Sequence, residues 1–142
     1  MKVQVLFSSK KITTSKILAE KVARLMKCKV DQIPPAYPCE NEKILYLGYD
    51  VKGAKIDKKF AAFIGTLTPA RARNVALFGV SSSGSESMAP VIDMLKAQGM
   101  NVIEDTFQVK GKVGFGKGSV DEAVAEKVIA WAEKIAARED LK

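Results

Sequence analysis

The sequence predicts a doubly wound α/β domain, with strands and helices alternating along one chain. Three observations predict it. Short β-rich apolar runs alternate with segments whose apolar residues recur at helical spacing. Two runs, Ile44-Leu45-Tyr46-Leu47 and Val75-Ala76-Leu77-Phe78, are continuously apolar, as central parallel strands covered on both faces are. The chain has 142 residues, enough for one core, and no repeat, low-complexity tract or linker divides residues 1–142 into more than one domain.

Val3-Gln4-Val5-Leu6-Phe7 reads as the first strand, stopped by Ser8-Ser9. Ile17, Leu18, Val22, Leu25 and Met26 then mark an amphipathic helix over about residues 14–27. Cys28-Lys29-Val30-Asp31-Gln32-Ile33 alternates like a half-exposed edge strand, and Pro34-Pro35-Ala36-Tyr37-Pro38 breaks it into a loop. Between the two central strands, Phe60, Ala61, Phe63, Ile64 and Leu67 mark a helix. Met88, Val91, Ile92 and Leu95 mark another before a fifth strand over residues 101–109. The last helix is expected to open at Ser119-Val120-Asp121-Glu122, an S-x-x-E capping box, with Val124, Val128, Trp131, Ala132 and Ile135 on one face.

Composition excludes several chemistries. The chain contains no histidine, so no Ser-His-Asp or Cys-His machine operates, and no catalytic residue is assigned. Its 2 cysteines, Cys28 and Cys39, make a poor tetrahedral zinc site, so no metal is expected. Neither begins a C-x5-R loop, because Pro34 and Leu45 stand at the arginine positions. With no signal peptide and no long apolar stretch, the expectation is a soluble cytoplasmic protein with reduced thiols and no membrane partner.

In such a sheet the ligand crevice lies beyond the carboxyl ends of the strands, where the winding reverses. After the first strand comes Ser8-Ser9-Lys10-Lys11-Ile12-Thr13-Thr14-Ser15, rich in hydroxyls and opening into a helix. A helix N-terminus offers free N–H groups and partial positive charge, so a phosphate fits there; plain N-capping is the bland alternative. After the fourth strand, Ser81-Ser82-Ser83-Gly84-Ser85 carries little beyond hydroxyls, and a flat polar ligand edge can approach its backbone, unless it is only a flexible turn. Gly79-Val80-Ser81-Ser82-Ser83 is not a nucleophile elbow, since Ser83 replaces the second glycine.

Over essentially its whole length the chain resembles the short-chain flavodoxins. Ser9-Lys10-Lys11-Ile12-Thr13-Thr14 resembles their T-x-T-G-x-T phosphate loop, and Leu47-Gly48-Tyr49-Asp50-Val51-Lys52-Gly53 the first flavin-flanking loop. Asn74-Val75-Ala76-Leu77-Phe78-Gly79, followed by residues 81–87, resembles the fourth strand and second flavin loop. The tail from Leu95-Lys96-Ala97-Gln98-Gly99 through Trp131-Ala132 keeps the family spacing, without the long-chain insertion in the fifth strand. The resemblance implies a three-layer α/β/α sandwich with strand order 2-1-3-4-5. It also implies noncovalent flavin mononucleotide (FMN) and electron transfer to or from a partner oxidoreductase.

On that resemblance, the cofactor would be held by Ser8, Ser9, Lys10, Lys11, Thr13, Thr14 and Ser15. Tyr49, Asp50, Val51, Lys52 and Gly53 would flank it on one side and Val80, Ser81, Ser82, Ser83, Gly84 and Ser85 on the other. Departures from the pattern sit in the same loops. Ile12 replaces the phosphate-loop glycine and Lys11 a hydroxyl, while the two stacking aromatics fall near Lys52 and Ser85. Each stacked pair contributes about 0.5–1.5 kcal/mol beyond area burial, so losing both weakens binding by about one to two powers of ten. Tyr49 can serve as a substitute stacker or as strand-end core.

The net charge is +7, and the lysines are unevenly placed. Lys10, Lys11 and Lys16, then Lys52, Lys55, Lys58 and Lys59, then Lys110, Lys112 and Lys117 follow strands one, three and five, which is ten of the 23 basic residues. Gathered at one end of the sheet, they would form a basic rim that steers a redox partner enzyme with an acidic docking face. Family members resemble the opposite case, an acidic rim.

Three rival readings fail on residues. A phosphoacceptor receiver needs an acidic pair where Ser8-Ser9 stand. Gly111-Lys112-Val113-Gly114-Phe115-Gly116-Lys117-Gly118 nearly matches a P-loop, but Gly118 fills the magnesium-binding hydroxyl position. No nucleic-acid module or aromatic platform is present, so no nucleic-acid partner is expected. The expectation is a monomeric, non-catalytic electron carrier. The alternative is a flavin-free accessory or docking protein of the same fold.

Overall fold

Beyond the central strands, the order of the sheet follows from which apolar runs can be covered on both faces. A computed structural model describes residues 2–9, 13–52, 55–111 and 120–142. The elements are β1 (Val3–Ser8), α1 (Thr14–Met26), β2 (Val30–Gln32), β3 (Ile44–Asp50), α2 (Lys58–Ile64), β4 (Val75–Ser81), α3 (Ala89–Ala97), β5 (Phe107–Lys110) and α4 (Glu122–Ala136). All strand pairs are parallel, in the order β2-β1-β3-β4-β5. The two continuously apolar runs, β3 and β4, take the central places, and the short half-exposed β2 takes an edge.

Period-two alternation divides the core into two layers. Leu6, Leu45, Leu47, Tyr49 and Leu77 face Phe60, Ile64, Val91 and Leu95 of α2 and α3. Val5, Phe7, Tyr46, Ala76 and Phe78 face Leu18 and Val22 of α1 and Val128, Trp131 and Ile135 of α4. Large and small residues complement each other across the central pair. Tyr46 lies opposite Ala76, and Gly48 lies opposite Phe78. The row through Phe7, Gly48, Phe78 and Phe107 crosses four strands, and Gly48 is the gap into which the Phe78 ring leans.

Several boundaries differ from the sequence reading: the edge strand spans Val30–Gln32 and not residues 28–33, the second helix ends at Ile64 before Leu67, and two further differences have a packing cause. The last helix begins after Asp121, whose carboxylate accepts from the Val124 amide at 2.8 Å. The cap is therefore Asp121, and the expected cap Ser119 lies outside the described residues. The fifth strand is also shorter than the run over residues 101–109. Val102 makes an isolated bridge to Val75, whereas Phe107 pairs with Phe78. The offset changes from 27 (102 − 75) to 29 (107 − 78), so two residues bulge out between. The bulge is held from α4, where Trp131 Nε1 donates to the Asp105 carbonyl at 2.8 Å.

At the opposite end of the sheet from the crevice, Asn74 is fully buried and ties four segments. Its amide donates to the carbonyls of Lys43 and Lys142, and its oxygen accepts from Asn101 Nδ2 and the Lys142 amide. Cys39 is buried nearby. Burial, then the Glu42 carboxylate, push its thiol up to about 11. Cys28, Tyr46 and Tyr49 shift the same way, burial being the largest cause in each.

Such groups ionise at lower pH in the unfolded chain than in the fold. For Cys39 that contribution to stability is complete below the unfolded thiol value near 9 and is lost as pH rises through about 11. The midpoint of urea unfolding is expected to be level up to about pH 9 and to fall steeply above it. In Cys39→Ala the fall should be shallower. An unchanged midpoint at pH 10.5 would contradict the assignment.

Candidate functional site

The start of α1, which follows β1, meets the end of β3 through Ser15 and Asp50 and the chain after β5 through Thr14 and Gly111. Thr13, Thr14 and Ser15 are all buried there. Thr13 is the N-cap residue, but its hydroxyl does not cap the helix; it meets Ser9 Oγ at 2.6 Å. The first turn also contains no acid, so no side chain in it opposes a bound anion. Ser15 Oγ instead donates to Asp50 Oδ1 at 2.6 Å, which joins the helix start to the end of β3. From the other flank comes Gly111, where a Cβ would fall 2.7 Å from Val80 Cγ1 and 3.1 Å from Thr14 Oγ1. Only a glycine lets the chain after β5 pass so close to the helix start.

The loop after β4 is ordered by its own hydroxyls. Ser81 Oγ is fully buried and accepts from the Gly84 amide at 2.8 Å and from Gln108 Nε2 at 3.0 Å. Gly84 has φ +78, a left-handed turn that favours glycine. Ser82 Oγ donates to Glu86 at 3.1 Å, and Ser83 Oγ accepts from the Ser85 amide at 3.2 Å. Gln108 also donates to the Glu86 carbonyl. The stretch that the sequence leaves open as a ligand shelf or a flexible Ser/Gly turn is held by these bonds beside Asp50 and Val51, and the Val51 amide donates to the Val80 carbonyl at 2.7 Å.

A crevice of about 240 Å³ opens between the ends of β1, β2 and β3 and the start of α2. Ser8, Ser9, Asp50 and Lys52 line it, as does Gln32, which donates to the Ser9 carbonyl. Tyr49 forms part of its wall from below, with its ring 5.0 Å from that of Phe60. Tyr49 is only 5% exposed, and its hydroxyl is buried with no hydrogen-bond partner among the described residues. Its ring belongs to the core layer under α2, so to stack on a ligand in the crevice it would have to leave Phe60.

Ser8, Ser9, Thr13, Thr14, Ser15, Tyr49, Asp50, Val51 and Lys52 are thus brought to one end of the sheet with Val80, Ser81, Ser82, Ser83, Gly84 and Ser85. Lys10, Lys11 and Gly53 lie outside the described residues, as do Lys112, Lys117 and the rest of the P-loop-like stretch after Gly111. Of the lysines read as a rim, Lys52, Lys55, Lys58, Lys59 and Lys110 are exposed and Lys16 is half-buried, and none has an ion pair among the described residues. Gln32 and Phe60 were not legible as site residues. Only the pairing of β2 with β1, invisible in sequence, brings Gln32 to Ser9.

The strand order and the crevice at the carboxyl ends define a doubly wound α/β domain with its switch point between β1 and β3. No protein-family model matches the chain, and no curated protein matches it. Solved structures do. Flavodoxin 2 from Bacillus cereus superposes with a TM-score of 0.69 at 13% identity, covering 96% of this chain and 98% of that one. A flavodoxin from the domain Archaea gives 0.67 at 13% identity, covering 96% of both chains. Rubredoxin oxygen:oxidoreductase from Desulfovibrio gigas gives 0.63 at 18% identity, but there the chain spans only 35% of the larger protein. The chain has the flavodoxin fold; at these identities the likeness is one of architecture. Among the described residues, no helix is long and apolar enough to cross a membrane.

Proposed function

We propose that this protein binds FMN at the end of the sheet described above and exchanges electrons with a partner oxidoreductase. The observation that carries the reading is the acid-free start of α1, where the N-cap Thr13 side chain makes no cap hydrogen bond among the described residues, placed at the switch point with the hydroxyls of Ser9 and Thr13 beside it. Those groups suit a phosphate. The shelf of residues 81–85 and the loop after β3 would hold the rest of the cofactor edgewise. FMN, when bound, supplies one-electron chemistry that no side chain here provides. The protein's part is to fix the cofactor and to shape the field around it.

The residues fit the phosphate end better than the ring end. Among the described residues no exposed aromatic stands at either flanking loop, and Asp50 holds a carboxylate against the helix start. That observation favours the second reading, a flavin-free accessory protein that docks onto a reductase. The absorbance spectrum separates the two. Flavin bands that survive desalting, or return on adding FMN, support the carrier; a colourless protein that cannot be reconstituted leaves the accessory role.

Two quantities follow from the carrier reading. A unit charge about 8 Å away at an effective dielectric near 20 is worth roughly 2 kcal/mol before salt screening. Asp50→Asn is therefore expected to tighten FMN binding by roughly tenfold at low salt, as read by fluorescence quenching. Equal or weaker binding would place the phosphate elsewhere. By the same arithmetic, the exposed lysines should make formation of the anionic reduced flavin less difficult than in an acidic-rimmed flavodoxin, and a redox titration reads this directly. The proposed carrier is a monomer in the cytoplasm that works with a protein partner and with neither nucleic acid nor membrane.

A further inference from the structure

A second, separate feature lies on the α2 side of the sheet. The loop after β2 faces α2 across an open groove of about 540 Å³. Pro34, Pro35 and Pro38 form one wall, and Ala62 and Phe63 form the other. Lys59 and Arg71 border the groove, and neither makes an ion pair among the described residues. Beside it stands Tyr37, 81% exposed, the one large hydrophobic side chain exposed among the described residues.

The proline wall is preformed. Proline fixes φ, so three prolines in five residues leave the loop few alternatives. The Asp31 carboxylate pins it further, accepting from the amides of Gln32 at 2.8 Å and Ala36 at 2.9 Å. A surface that is already ordered binds without the entropic cost of ordering it. Exposed tyrosines and well-packed apolar pockets are the features that anchor protein partners.

We propose that this groove docks an acidic segment of a partner protein, one that presents an apolar side chain between carboxylates. The apolar trough takes the side chain, and the bordering cations at Lys59 and Arg71 take the carboxylates. Charge complementarity selects this occupant over a second copy seated groove to groove, since both grooves would carry the same cations. The apolar walls select a peptide over a phosphate backbone. Lys59 also lines the crevice at the strand ends, so a segment seated here lies against the proposed cofactor site. The inference thus deepens the carrier reading by naming the partner's contact, but its test reads binding alone.

The full chain, labelled with nitrogen-15, would be titrated with a short synthetic peptide carrying one leucine flanked on both sides by aspartate and glutamate. Resonances of residues 34–38, 59–66 and 71 are expected to shift, and less so as salt is raised. Lys59→Glu and Arg71→Glu should each weaken binding roughly threefold to fivefold, the range of a single exposed charge pair. Ala62→Arg adds a cation yet fills the trough, so it should abolish the shifts; Lys127→Glu on α4 should leave them unchanged.

The proposal is overturned if no groove resonance moves at millimolar peptide, or if Ala62→Arg binds more tightly, which would show nonspecific attraction to lysines. It is overturned equally if a leucine-to-serine peptide or a DNA duplex shifts the same resonances as strongly. Concentration-dependent shifts without peptide would assign the groove to a second copy and overturn it as well. A protein that binds the peptide but not FMN upholds the groove and sinks the carrier; the converse does the reverse.

Discussion

Trp131→Ala is expected to cost about 3–5 kcal/mol and to lower the melting temperature by roughly 10–20 °C. Trp131 is 6% exposed and sits where three strands meet α4. Its ring centroid is 5.8 Å from Tyr46, 6.1 Å from Phe78 and 5.9 Å from Phe107. Its removal leaves a cavity that three aromatic rings cannot close together, and it also orphans the Asp105 carbonyl. Trp131→Phe separates the two contributions. It keeps most of the ring but not the donor, and should cost only about 1–2 kcal/mol. Equal losses in both variants by calorimetry would show that the hydrogen bond, not the packing, holds α4.

Gly48→Ala is the other large effect. A Cβ at this position would fall 2.2 Å from Phe78 Cε2 and 2.4 Å from Cζ. Elsewhere a flexible side chain could move aside, but Phe78 is fully buried and wedged under Trp131. The expected cost is about 3 kcal/mol, at the upper end for overpacking. Phe78→Leu should rescue it in part, since the shorter side chain vacates the space above Gly48. The double variant should be at least about 1 kcal/mol more stable than the sum of the singles, measured by urea unfolding. Simple additivity would mean that the strand shifts bodily and the ring does not block it.

The sheet was largely legible because its central strands are apolar on both faces, which leaves them only one kind of place. Ile44-Leu45-Tyr46-Leu47 and Val75-Ala76-Leu77-Phe78 needed no other information. The sequence makes the fifth strand look longer than it is because Val102, Ile103 and Phe107 are all apolar and buried or half-buried, whether or not the chain bulges between them. The change of pairing offset between Val102 and Phe107 shows the break, and the hydrogen bond from Trp131, contributed from a distant helix, holds it. At the site, the hydroxyl-rich loops drew notice by composition. Which hydroxyls are spent inside the protein is not readable, since Ser9, which pairs with the Thr13 hydroxyl, and Ser81, which accepts from the Gly84 amide, could equally have been directed at a ligand. The double character of Tyr49, core or stacker, was open in sequence because strand ends are where the two roles meet; its contact with Phe60 places the ring in the core layer.

The two extra residues before β5 carry a consequence for how this architecture changes length. Side chains along a strand alternate, so gaining one residue would turn every later side chain inside out, whereas gaining two leaves the alternation intact. Val102 and Val75 share the α2/α3 layer, and beyond the bulge Phe107 and Phe78 still share the α1/α4 layer. The outer strand is thus a graft point. Segments can be spliced in at Glu104 or Asp105 while both faces of the barrier between the helix layers keep their composition, provided the residues from Phe107 onward keep their pairing with β4.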